Sequence, residues 1–304
     1  RWVAKDLKRP KPESAMPDKT EWAPLVDAST YENWQAFATW WWSFIEKEFE
    51  SSPAMKAKVA ELTKGLTTEH AKIEALVRFV GQEIRYNMWP FGTHGYEPYS
   101  ASTIFERRFG DCKDKSILLC TMLAEIGVHA HPVLIRARYV QPNEPLDAPL
   151  VEHFNHCIAF APATADRPGM YLDCTADLNP IEYLRVDDQG ARVLHVDQGQ
   201  ASLHDIPYAP PAENALVRRY DVKLDLQGNA EVALVDESVG AFGVGLRTNY
   251  SGEKGDIAKR LERDLRESFA QIDVRDVKTS DLEDLGAKAR LEAHFQAKNL
   301  WAAQ

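Results

Sequence analysis

The stretch RRFGDCKDKSILLCTMLAEIG, residues 107–127, sets a glycine, an aspartate and a cysteine at the point where a helix begins. Ile117, Leu118, Cys120, Met122, Leu123 and Ile126 recur at helical spacing, and Gly127 is a natural C-terminal cap. A cysteine buried in mid-element is inert. One at a helix start meets unpaired backbone N–H groups and the positive end of the helix dipole, both of which favour a thiolate. Asp111 and Asp114 read as first-turn capping carboxylates. Lys113, Lys115, Arg107 and Arg108 read as solvated or salt-bridged, and Cys120 as core. Whether Cys112 is a nucleophile turns on whether the chain also supplies a base.

Upstream, residues 1–28 form an extended lead-in in which Pro10, Pro12, Pro17 and Pro24 block regular helix. From Ser29, STYENWQAFATWWWSFIEKEFE has a capping-box pattern (Ser29, Glu32) and apolar residues at Trp34, Phe37, Ala38, Trp41 and Ile45, which predicts an amphipathic helix. A second helix is expected from Ser52 and Pro53 to Gly65, and a third from about Thr68 to Tyr86. Downstream the period changes to strand-like segments: PVLIRARYV from Pro132, FNHCIAFA from Phe154 and MYLDCTA from Met170. Helices followed by a sheet predict an α+β fold, not alternating βαβ units.

The last two strands supply the base. Alternation puts Phe154, His156, Ile158 and Phe160 on one face of the first, and Tyr171, Asp173 and Thr175 on one face of the second. A hairpin centred near Thr164 and Ala165 sets His156 opposite Asp173, with Cβ atoms about 5 Å apart. Cys157 and Cys174 then point away and read as packing residues. Thiolate, imidazole and orienting carboxylate are the set that acyl transfer through a thioester requires. One oxyanion donor would be the backbone N–H of Cys112, and Tyr86, Trp89 and Tyr96 are candidates for a second.

GDCKDKSILLCTMLAEIGVHAHPVLI, with FNHCIAFAP and YLDCTAD, resembles the core of the bacterial transglutaminase-like superfamily. The resemblance implies a papain-like α+β core (helical lobe plus antiparallel sheet) with Cys112 as nucleophile, His156 as base and Asp173 as orienting acid. STYENWQAFATWWWSFIE and IRYNMWPFGTHGYEPYSASTIFERRFGDCKDKS further resemble the subgroup in which this core follows a β-rich domain of unknown function. The resemblance covers residues 1 to about 205 and implies a piece of a longer, extracytoplasmic (periplasmic) bacterial protein. Asp111 and Lys113 stand where animal crosslinking enzymes of the family have Gln and Trp, so crosslinking is not implied. The expected function is a cysteine peptidase, amidase, deamidase or acyltransferase acting on a peptide or protein. The alternative is a catalytically silent peptide-binding or assembly module.

Composition sets the outer bounds. The chain has 304 residues, 44% of them hydrophobic, and a net charge of −10, which argues against a nucleic-acid binder. It holds no apolar run of membrane-spanning length. The four cysteines make no disulfide framework and no CxxC pair. His129, His131 and His153 lack a carboxylate or cysteine partner at metal-ligand spacing, so neither zinc nor a cofactor is expected. The expected organisation is a lead-in (1–28), a catalytic domain (29–205), a proline-rich linker (206–212) and a small β-rich or α+β domain (213–304). In the last part LVRRYDVKLDLQGNAEVALVDESV predicts a hairpin around Gly228 and Asn229, and GDIAKRLERDLRESF a helix. The glycine-rich SVGAFGVGLR lacks a phosphate-loop pattern.

Overall fold

The computed structural model describes residues 3, 5–6, 8, 11, 13–88, 92–142, 146–269, 271–298 and 300. The lead-in contains a one-turn helix, α1 (Lys19–Trp22), capped by Asp18 where only extended chain was expected. The first long helix, α2 (Trp34–Ile45), is not capped by Ser29 and Glu32. Asn33 does this, its side chain accepting from Ala36 N at 2.9 Å, while Ser29 Oγ donates to Pro149 O at 2.7 Å. Asn caps as well as Ser, and a start at Trp34 buries Phe37, Ala38, Trp41 and Ile45 on one face. α3 (Pro53–Leu62) and α4 (Glu69–Glu83) follow, capped by Ser52 and Thr68 as the sequence indicates.

After α4 the chain forms a two-residue strand, β1 (Arg85–Tyr86). It then passes through α5 (Ala101–Arg107) and pairs in parallel with β2 (Phe109–Gly110) immediately before α6 (Cys112–Ala124). α6 is not amphipathic: all residues from Lys113 to Leu123 are buried, because other helices pack around it and β3 and β4 lie against it. Lys113 and Lys115 are therefore not solvated. Lys115, 1% exposed, donates to the Gly81 and Ile84 carbonyls at the end of α4 at 3.1 and 2.8 Å, and Lys113 pairs with Asp111. Arg107 holds Asp114 Oδ2 at 2.8 Å, as a salt-bridged reading requires.

Beyond α6 lie β3 (His131–Ile135), β4 (His156–Ala161), β5 (Met170–Leu172), β6 (Arg192–Asp197) and β7 (Gln200–Asp205). They form an antiparallel sheet of order β5-β4-β3-β6-β7. One face carries Leu134, Cys157, Ala159, Ala161, Leu194 and Val196 into the core shared with the helices. The other gathers Val133, Ile135, Ile158, Val193 and Ile206 into a second cluster. The register of β4 on β5 differs from the expected one. Ala159 pairs with Leu172, which continued along the ladder sets His156 opposite Thr175 and Asp173 opposite Ile158. The slip is two residues, and an even slip keeps every side chain on its face.

The rest of the chain builds a separate four-stranded antiparallel sheet from β8 (Leu216–Leu224), β9 (Ala230–Ser238), β10 (Gln271–Thr279) and β11 (Ala289–Lys298), in the order β10-β11-β9-β8. The hairpin turn has Gly228 at φ +81°, in the left-handed region where glycine is at ease. Two helices, α7 (Gly240–Tyr250) and α8 (Lys254–Leu265), pack with this sheet, so the glycine-rich stretch is helix. Its core residues are distinct from those of the first sheet. Mixed helices and antiparallel sheets make the chain α+β, and among the described residues no helix is long and apolar enough to cross a membrane.

Candidate active site

Asp111 caps α6 by a reciprocal pair of bonds: its Oδ1 accepts from Asp114 N, and Asp114 Oδ2 accepts from Asp111 N, both at 3.2 Å. A Cβ on Gly110 would stand 2.7 Å from Asp114 Cβ, so the glycine of GDC is the residue that lets this box close. Cys112 follows as the first helical residue, where its N–H has no acceptor within its own helix. Burial pushes the thiols of Cys120, Cys157 and Cys174 up, the last to about 12; all three are buried, whereas Cys112 is half-buried.

His156 begins β4 and Asp173 follows directly on β5. His156 Nε2 lies 3.2 Å from Asp173 Oδ2. The other carboxylate oxygen, Oδ1, accepts from Thr175 N at 2.8 Å and Thr175 Oγ1 at 2.6 Å, which fixes the plane of the carboxylate. Burial by itself would lower the His156 pKa and raise that of Asp173. The contact between them overrides this, helped by the neighbouring Cys112. His156 is pushed up to about 10, and Asp173 is held well below the usual carboxylate range. With Nε2 committed to Asp173, Nδ1 is the ring atom left for the thiol. The diagonal placement produced by the two-residue slip thus still joins the residues that the sequence paired directly.

Three neighbours were not legible as site residues. Ser116 Oγ lies 2.8 Å from the Cys112 carbonyl oxygen and 3.0 Å from that of Cys157, bridging the start of α6 to the residue after His156. Arg185 brings Nε to 3.6 Å from Asp173 Oδ2 and Nη2 to 3.5 Å from Asp188 Oδ1. Burial and the nearby Asp173 charge push the fully buried Asp188 up to about 8. A strand-end aspartate flanked by an arginine on a separate turn carries no local sequence pattern, and Ser116 could have been found only from its place one helical turn beyond Cys112.

Cys112 and His156 open into a cleft of ≈ 350 Å³ walled by Trp41, Met88, Tyr96, Val151 and Phe154. Tyr86 also lines it, because the parallel β1–β2 bridge sets Tyr86 alongside Gly110. Burial first, then the charges of Cys112, Asp111 and Asp173, push the Tyr86 hydroxyl up to about 12, so it keeps its proton as a donor. Trp89 lies outside the described residues. On the far end of the sheet, His129 and His131 do have a carboxylate partner. Asp197, distant in sequence, places its oxygens with their ring nitrogens inside a 4.8 Å cluster.

A helix-start cysteine thus shares one cleft with a strand histidine that is paired to a buried carboxylate. Residues 56–159 match the family model described as the transglutaminase-like superfamily. Among solved structures, the chain is similar to a crystal structure described as a "putative protease" from Parabacteroides distasonis, at 11% identity with a TM-score of 0.45. The alignment covers 88% of this chain and 53% of that one, so this chain spans about half of that protein's length. No curated protein matches the chain.

Proposed function

We propose that the protein is a thiol enzyme that opens an amide of a peptide or protein through a thioester on Cys112. The observation that supports this most directly is the His156–Asp173 contact at 3.2 Å, beside the half-buried Cys112 at a helix start in an open cleft. The Cys112 thiolate attacks the carbonyl carbon. The resulting oxyanion is held by the Cys112 N–H and the Tyr86 hydroxyl, and the His156 imidazolium gives its proton to the departing amine. Water or an acceptor amine then attacks the thioester, losing a proton to His156 and releasing Cys112. Asp173 orients the imidazole and stabilises its cation throughout. Tyr86 is preferred to Tyr96 because the β1–β2 bridge sets it alongside Gly110, two residues before Cys112.

The test is competitive alkylation of the intact chain with iodoacetamide at neutral pH, read by peptide mass spectrometry, followed by a peptide-library screen with and without added amine. Cys112 is expected to label far faster than the three buried thiols, and turnover to vanish in Cys112→Ala. Equal labelling of all four cysteines, or undiminished turnover in that variant, rules the proposal out.

A further inference from the structure

The sequence HAH, residues 129–131, enters β3 at the sheet end opposite to the cleft. On an extended chain, residues two apart share a face, so both histidines project the same way. β3 pairs with β6 through Val133–His195 and Leu134–Leu194, and the same register carried on sets His131 opposite Asp197. Asp197 ends β6 at the tight turn into β7. The topology thus brings two imidazoles and a carboxylate to one corner of the sheet.

His129 Nε2 lies 3.1 and 3.0 Å from the two Asp197 oxygens, and His131 Nδ1 lies 3.6 Å from Oδ2. The first of these is an ordinary ion-pair geometry. The second is not a hydrogen bond, and it leaves His131 Nδ1 a buried nitrogen without a hydrogen-bond partner among the described residues, on a residue only 6% exposed. Such an atom carries an unmet cost of desolvation unless something else engages it. Ligands 2.0–2.2 Å from a tetrahedral ion stand about 3.3–3.6 Å from one another. The 3.0 and 3.6 Å separations bracket that range.

The surroundings of His131 also suit metal ligation. Its Nε2 lies 3.0 Å from His195 Nδ1, and His195 Nε2 lies 3.0 Å from the Tyr171 hydroxyl. This chain of rings has two proton arrangements. In one, Tyr171 donates to His195 and His195 to His131, which leaves a hydrogen on His131 Nδ1 with no acceptor at hydrogen-bond distance among the described residues. In the other, His131 donates through Nε2 to His195 and His195 through Nε2 to Tyr171, leaving a lone pair on His131 Nδ1 aimed at the cluster. A histidine ligand that donates its second N–H to a fixed partner is the usual support of a metal site.

We propose that His129 Nε2, His131 Nδ1 and an Asp197 carboxylate oxygen form a site for a divalent first-row transition ion such as Zn²⁺. Two imidazoles and one carboxylate match the donor preference of that class and not of Ca²⁺ or Mg²⁺, which take oxygen ligands. Three protein ligands leave a fourth position for water. His129 and Asp197 are 52% and 38% exposed at their side chains, so an ion enters from solvent. Bound, it ties the segment that follows the nucleophile helix to the β6–β7 turn. It stands four β3 positions, about 13 Å, from the residue paired with His156.

The test is calorimetric titration of the chelator-treated full chain with Zn²⁺ in a Cys112→Ala background, so that the thiol cannot bind the ion. Co²⁺ serves as a visible-absorption probe of tetrahedral coordination. One equivalent is expected to bind. Affinity should fall at least tenfold in His129→Ala and in Asp197→Asn, both partly exposed changes that spare the buried His131. In the Cys112-intact chain, His129→Ala should retain wild-type iodoacetamide labelling, which certifies its fold. Absence of binding overturns the proposal, as does binding that survives both substitutions and is lost instead in His156→Ala.

Discussion

In the first sheet β3 is buried at all five residues and β4 at five of six, whereas in the second β9 and β11 alternate buried with more exposed positions and β8 is exposed along all nine. Covering both faces desolvates whatever polar groups the strands carry, so an unpaired one is costly. His156 and Asp173 pair with each other, and the exchange shifts both titrations. The open sheet leaves its polar side to water, where pairs such as Arg290 with Glu292 contribute little. The candidate site thus sits where solvent has been removed.

The sharpest way to break this contrast is to remove the groups that the covered sheet and its helix hold. Cys112→Ala and His156→Ala should each lower kcat on any substrate identified by about 10⁴-fold or more, and Asp173→Ala by less, because orientation can be partly lost while proton transfer cannot. Steady-state rates that separate the two sheets in any other order would undo the comparison. A second prediction concerns deletion. A fragment ending at residue 208 should stay folded and keep selective labelling of Cys112, since the two cores share no residue. Circular dichroism showing an unfolded fragment would mean that the open sheet completes the covered one.

Within the open sheet, Leu291→Ala removes a side chain 1% exposed and should cost about 2–5 kcal/mol by denaturant titration while leaving Cys112 labelling unchanged. The pH prediction follows from sign. The folded pKa of His156, about 10, lies above its unfolded value of ~6.5. The stability it contributes is therefore whole below ~6.5 and is lost as pH rises through about 10. In Asp173→Asn the imidazole should titrate nearer ~6.5 by NMR, and the stability gap to wild type should narrow across that window. An unmoved titration would remove Asp173 as the cause. The smallest effect belongs to Asn33→Ala, which deletes the α2 cap and should cost about 1 kcal/mol in a melting experiment.

What the sequence disclosed follows the same division. Alternation announced β9, because one face is wet, and the helix-start signals of α3, α4 and α6 fell on the capping residues themselves. β6 stayed hidden because both faces are covered: Val193 and Leu194 are buried on opposite sides, and a run of buried residues has no period to read. α7 stayed hidden because tertiary packing outweighs its glycines: buried Leu246 and Tyr250 join the core, and Arg247 donates to the Ala287 carbonyl. Cys112 was singled out by its helix-start position and His156 and Asp173 by strand phase, with their roles implied by a family resemblance. Arg185, Asp188 and the Asp197 corner depend on pairings across long stretches of chain, which no local pattern encodes.

The two-residue register offset between β4 and β5 carries a rule about permissible change in the loop that joins them. Lengthening or shortening that loop by an even number of residues conserves parity, so Asp173 and its neighbour Thr175 remain on the imidazole's side. An odd change inverts the parity and sends Asp173 through the sheet into the space now held by Leu172 and Cys174. Lineages that remodel this connection should therefore step through lengths two at a time, and an inserted single residue would need a bulge to absorb it.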